Sequence, residues 1–101
     1  MIARIWRGAV RAEDAAAYAA YAEQTGIEGY RRTAGNRGAW LLWRTEGDRA
    51  EFITVSLWES RAAIEAFAGR DIGTAVFYPE DEKYLIERDL TANHYEVAGS
   101  G

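Results

Sequence analysis

The chain has 101 residues, enough for one hydrophobic core with little to spare. Hydrophobic residues at 49% and charged residues at 28% give the balance of an ordinary soluble globular protein. A formal charge of −4, with the arginines spread rather than clustered, argues against phosphate-driven nucleic-acid binding, and the lack of cysteine excludes disulfides, thiolate metal sites and cysteine nucleophiles.

Ile2 to Val10 reads as a first strand with apolar residues on both faces. Arg4 and Arg7 interrupt this segment, so it does not read as a signal peptide, and no apolar run approaches the roughly 20 residues of a membrane-spanning helix. A cytoplasmic location with no membrane partner is the expectation. Ala12 to about Thr25 is helical by propensity, with Glu13 and Asp14 at the positive end of its dipole. Gly26 is expected to interrupt it, Ile27 to Thr33 to add a short further turn, and Ala34 to Gly38 to form a loop.

Ala39 to Thr45 and Ala50 to Trp58 predict a β-hairpin closed by a glycine-first turn at Gly47-Asp48. In that register Glu46 faces Arg49, Arg44 faces Glu51, Trp43 faces Phe52 and Leu42 faces Ile53. Phe52, Thr54, Ser56 and Trp58 share one face of the second strand; Ile53, Val55 and Leu57 share the other. Ser60 is a good N-cap for a helix over residues 60 to 68, and Gly69 offers its stop. Asp71 to Tyr78 has no clear pattern. Pro79 followed by Glu80, Asp81 and Glu82 suits one or two helical turns through Leu85, and Ile86 to Val97 reads as the last strand. Ala98 to Gly101 reads as a tail, so one domain is expected over 1–98, with 99–101 flexible.

The order β-α-β-β-α-β predicts the α+β, ferredoxin-like split βαβ arrangement: an antiparallel four-stranded sheet with both helices on one face. Strands one and two are apolar on both sides, with Trp40 and Leu42 opposed to Leu41 and Trp43. The face without helices therefore needs a cover, and a second copy of the chain is the simplest one.

Trp58-Glu59-Ser60 followed by Ala63-Ile64 and Ala66-Phe67, together with length and element order, resembles the antibiotic biosynthesis monooxygenase family of dimeric α+β barrels. The likeness covers about residues 2 to 97. It implies a homodimer; some members oxygenate aromatic polyketides without metal or flavin, and others degrade haem. The haem degraders use an asparagine on the first strand, a tryptophan late in the second helix and a histidine further on. This chain has Trp6 and no asparagine in the first strand, Phe67 in the helix, and no histidine around Phe77.

Cofactor-free oxygenation needs a flat pocket, a base and a few donors. His94 is the only histidine and a natural general base, or else a hydrogen-bonding residue at a sheet edge or interface. Trp43, Phe52, Trp58 and Phe67 are candidate walls for an aromatic ligand, and Tyr78, Arg44 and Asn93 candidate donors, with Tyr78 grouped with His94 as catalytic. A single histidine without ligand spacing supports no metal site, and no cofactor is expected. Glu80-Asp81-Glu82 is explained by the helix dipole alone. The reading is thus a small cofactor-independent monooxygenase acting on an aromatic compound, its rivals a non-catalytic ligand-binding dimer and a haem binder.

Overall fold

The computed structural model describes residues 1–101. Strand β1 (Ile2–Arg11) leads through a 3-10 turn (Ala12–Asp14) into α1 (Ala15–Ala22), a π turn (Glu23–Ile27) and α2 (Glu28–Arg32). Strands β2 (Asn36–Glu46) and β3 (Arg49–Trp58) form the hairpin. After them come α3 (Arg61–Ala68), the single turn α4 (Asp81–Tyr84) and strands β4 (Leu85–Arg88) and β5 (Asn93–Glu96). No helix is long and apolar enough to cross a membrane.

All pairing in the sheet is antiparallel, in the order β2-β3-β1-β4, with β5 continuing along the same edge of β1 as β4. This is the expected ferredoxin-like order. The hairpin register also matches: Leu42 pairs with Ile53, Trp43 with Phe52, Arg44 with Glu51 and Glu46 with Arg49. Gly47 has φ 61° and no non-glycine residue has positive φ, which is the glycine-first turn. Ser60 caps α3, its Oγ accepting from the Ala63 N–H at 3.2 Å, and Gly69 ends it at φ 89°.

Two expectations are corrected. Gly26 does not break the first helix: helical structure runs from Ala12 to Arg32, and the residues around Gly26 are absorbed in the π turn. Ile27 and Tyr30, which follow it, are buried against Trp58 and Ile64. The last strand is not continuous either. Residues 90–92 leave β1 and pair instead with 73–75, through Ala75 N–H to Leu90 C=O at 3.0 Å and Ala92 N–H to Gly73 C=O at 2.9 Å. That exchange gives the patternless segment after α3 its place at the sheet edge.

The period-two alternation sorts the two faces. Arg4, Trp6, Gly8 and Val10 stand in register with Ser56, Thr54, Phe52 and Ala50, and the helices cover this side. Two core clusters form there, one around Tyr18 and Phe52, the other around Ile27, Tyr30, Trp58 and Ile64. The opposite side carries Ala3, Ile5, Ile53, Val55 and Leu57 with no helix over them. Trp40 at 48%, Leu42 at 49% and Tyr95 at 56% exposure extend this apolar surface.

Candidate functional site

A cavity of about 40 Å³ lies between the helical run, the segment 75–78 and the covered face of the sheet. Six aromatic side chains reach it: Trp6 from β1, Tyr18 from α1, Tyr30 from α2, Phe67 from α3, and Phe77 and Tyr78 from the irregular segment. The π turn contributes Thr25 and Gly26, and Gly29 lets Tyr78 lie directly against the helix. Trp6 is fixed by its indole N–H donating to the Asp89 carbonyl at 2.8 Å, and meets Phe77 edge-on at 6.1 Å.

Two charged residues line the same cavity. Arg4 is 2% exposed. Its Nη1 donates to the Ile72 carbonyl at 2.5 Å, its Nη2 to the Thr74 carbonyl at 3.2 Å, and Nη1 also lies 3.0 Å from His94 Nε2. Its Nε–H has no partner. Asp81 is 6% exposed, and its Oδ2 accepts from the Tyr78 N–H at 2.6 Å. Burial pushes the Asp81 carboxyl pKa up, against smaller opposing effects of that hydrogen bond and of Arg88. Burial likewise raises the Tyr78 and Tyr18 hydroxyls, which stay protonated at neutral pH.

His94 stands on β5 opposite Arg4 and does not line the cavity. A guanidinium has only donors, so His94 Nε2 must accept from Arg4 and the ring proton sits on Nδ1. Burial, then the charges of Arg4 and Arg61, hold its pKa below the ordinary histidine value. The lone pair a general base needs is therefore already engaged by Arg4.

Of the residues singled out from sequence, Phe67 and Tyr78 meet in this cavity and His94 touches it through Arg4. The others lie elsewhere. Phe52 and Trp58 are fully buried in the core, where the Trp58 indole N–H donates to Ser56 Oγ at 2.9 Å. Trp43 is half exposed and stacks on Phe52 at 5.3 Å. Arg44 is on the uncovered face, bonded to Glu51 at 3.2 Å. Asn93 pairs with Ile5 and so faces away from the cavity. The β3 face carrying Phe52, Thr54, Ser56 and Trp58 is thus mostly core, and only Thr54 reaches the cavity.

Sequence reasoning missed Arg4 and Asp81. Arg4 had a legible signal: an arginine alternating with Ile2, Trp6 and Val10 on one strand face is a charge set among buried groups. Asp81 had none, because a helix dipole accounts for an acid there equally well.

No protein-family profile and no curated protein matches the sequence. Solved structures do match in shape. A Nitrosomonas europaea protein provisionally named an antibiotic biosynthesis monooxygenase superposes with a TM-score of 0.68 at 18% identity, covering 98% of this chain and 100% of its own. A similarly named protein from Bacillus cereus also gives 0.68, at 15% identity, covering 99% and 95%. The haem degrader MhuD from Mycobacterium tuberculosis, with two haems in its active site, gives 0.59 at 17% identity, covering 100% and 99%. At these identities the likeness is one of fold, and it bears out the α+β architecture and the family resemblance at that level.

Proposed function

We propose that this chain is a cofactor-independent monooxygenase for a planar aromatic or polyketide-like small molecule, bound in the cavity beneath the π turn. One observation carries the reading: six aromatic side chains and a buried carboxyl converge on one cavity, in a fold shared with proteins named as antibiotic biosynthesis monooxygenases. Fold alone would not suffice, because one architecture serves many functions.

In this reading Asp81 is the base. Its Oδ1 has no hydrogen bond within the chain, and burial brings its basicity closer to that of a weak acid such as an anthrone. The carboxylate takes a proton from the substrate's ring methylene, and the carbanion passes one electron to dioxygen. The substrate radical and superoxide combine through a new C–O bond to a peroxide, which takes the proton back from Asp81. Loss of the second methylene hydrogen with cleavage of the O–O bond leaves a carbonyl and one water. Tyr78, kept neutral by burial, is a hydrogen-bond donor to the developing oxygen charge. Trp6, Phe67 and Phe77 hold the ring. A space of about 40 Å³ takes a few waters, so a ring enters only as these side chains turn aside.

The uncovered apolar sheet face supports the homodimer as part of this proposal, since a second copy would cover Ile5, Trp40, Leu42, Val55 and Leu57 at once. Haem does not fit the residues present. The one imidazole is turned to Arg4 outside the cavity with its lone pair already engaged, burial keeps the Tyr18 and Tyr78 hydroxyls protonated, and a space of about 40 Å³ is far too small for a porphyrin. The test is oxygen uptake with anthrone-like and quinol-like compounds. Wild type should consume oxygen and Asp81→Asn should lose at least about ten-fold; no uptake by wild type over the panel leaves a ligand-binding dimer.

A further inference from the structure

Arg4 is a cation without an anion. Its guanidinium is almost wholly buried, it forms no ion pair with any carboxylate of the chain, and its Nε–H points at nothing that can accept it. Two backbone carbonyls and a neutral imidazole satisfy the Nη groups as hydrogen bonds but bring no opposite charge. Phe67 lies 5.9 Å from the guanidinium carbon, close enough for a weak cation–π contact only. Burying an unpaired charge is costly, and buried arginines are ordinarily paired with carboxylate or phosphate. Asp81, the other buried charge of the cavity, is paired with the Tyr78 N–H instead. A second copy on the uncovered face cannot supply the missing charge either, because Arg4 stands on the helix-covered side with Ser56 and Trp6.

We infer that Arg4 anchors an oxyanion of the ligand, so that the cavity selects planar aromatic compounds carrying a carboxylate or an ionised hydroxyl. Arg4 is held by groups that fix its direction without spending its charge. The carbonyls of Ile72 and Thr74 and the Nε2 of His94 grip the two Nη atoms, and the Nε–H of this cavity-lining residue is left unpaired. His94 is accordingly a positioning residue. The aromatic walls then stack the ring while Arg4 takes the oxygen. For the proposed oxidation, the same contact would favour the enolate form of the substrate. The inference rests on this cavity being the ligand site, but not on the ligand being oxidised.

The experiment is a set of binding titrations at pH 8 with benzoate, 4-nitrophenolate and the neutral isostere benzamide, read by thermal shift and by Trp fluorescence. At least one of the two anions should bind about ten-fold or more tighter than benzamide. Which anion wins distinguishes a carboxylate ligand from an ionised hydroxyl. In Arg4→Met the preference should vanish while benzamide binding persists. Should that variant fail to fold, the C2 proton of His94, the chain's one imidazole, supplies the second readout in wild type. The tighter-binding anion, once bound, offsets the field of Arg4 and should raise the His94 pKa; benzamide should not. Benzamide binding as well as both anions, or a His94 titration unmoved by saturation with the tighter-binding anion, overturns the inference and leaves the proposed oxidation standing. Binding of none of the three also overturns the inference, and oxygen uptake with the anthrone-like and quinol-like compounds then decides the oxidation.

Discussion

Arg4 and His94 are joined across β1 and β5 by a 3.0 Å hydrogen bond that can run in one direction only, from guanidinium to imidazole. Protonating His94 removes the acceptor and places a second positive charge beside a buried first one. Burial first, and then the charges of Arg4 and Arg61, hold the proton less tightly in the folded protein than in the unfolded chain.

Because the folded-state pKa is lowered, His94 contributes full stability above the ordinary histidine pKa and loses it as pH falls through the folded value. Wild type should melt at lower temperature on acidification below about pH 6.5. His94→Gln retains an acceptor for Arg4 and should flatten that part of the pH–Tm curve. His94→Ala should cost about 1–2 kcal/mol at neutral pH. Melting curves of the three proteins across pH 5 to 8 are the check.

Asp81 has the opposite sign. Its folded-state pKa is raised, so its contribution is full below the unfolded carboxylate value and lost as pH rises through the folded one. At neutral pH its burial is a net cost. Asp81→Asn keeps an oxygen for the Tyr78 N–H. It should equal or exceed wild type in stability, by up to about 1 kcal/mol, while losing turnover. Denaturant melts alongside oxygen uptake test both halves.

The close fit of helix to cavity rests on Gly29. A Cβ there would stand 2.7 Å from the Tyr78 hydroxyl and 3.3 Å from Phe67. Gly29→Ala should displace Tyr78, destabilise the fold by about 1–3 kcal/mol despite alanine's better helix propensity, and weaken ligand binding. Gly47→Ala meets no neighbour but must hold φ 61°, so its loss should leave binding unchanged. Urea melts and ligand titrations of the pair separate these effects.

The hairpin and α3 were legible because their signals are local: alternation, a glycine-first turn, and Ser60 three residues before the N–H it caps. The break in the last strand was not, because 90–92 pair with 73–75, a segment with no periodicity to announce it. The site was half legible. Phe67 and Tyr78 carried aromatic chemistry in plain view. Trp58 and Phe52 carried the same chemistry, yet lie where the helices press on β3, and only packing separates the two cases. Asn93 was lost to parity: beside His94 on a strand, it faces the opposite side.

The apolar face opposite the helices predicts a dimer at micromolar concentration. Val55 lies in its centre, paired on one side with Ile5 and on the other with Trp40. Val55→Glu should give a folded monomer, with a carboxylate stranded at the would-be interface. Sedimentation equilibrium decides; a monomeric wild type would sink the dimer.

The central claim, oxygenation by side chains alone, is tested most directly by isotope labelling. The chelator-treated protein is incubated with an anthrone-type substrate under ¹⁸O₂, and the product is weighed by mass spectrometry. One labelled oxygen in the new carbonyl, formed by wild type and much diminished in Asp81→Asn, is the predicted result. Product oxygen drawn from water, or turnover abolished by chelation and restored by metal, would contradict it.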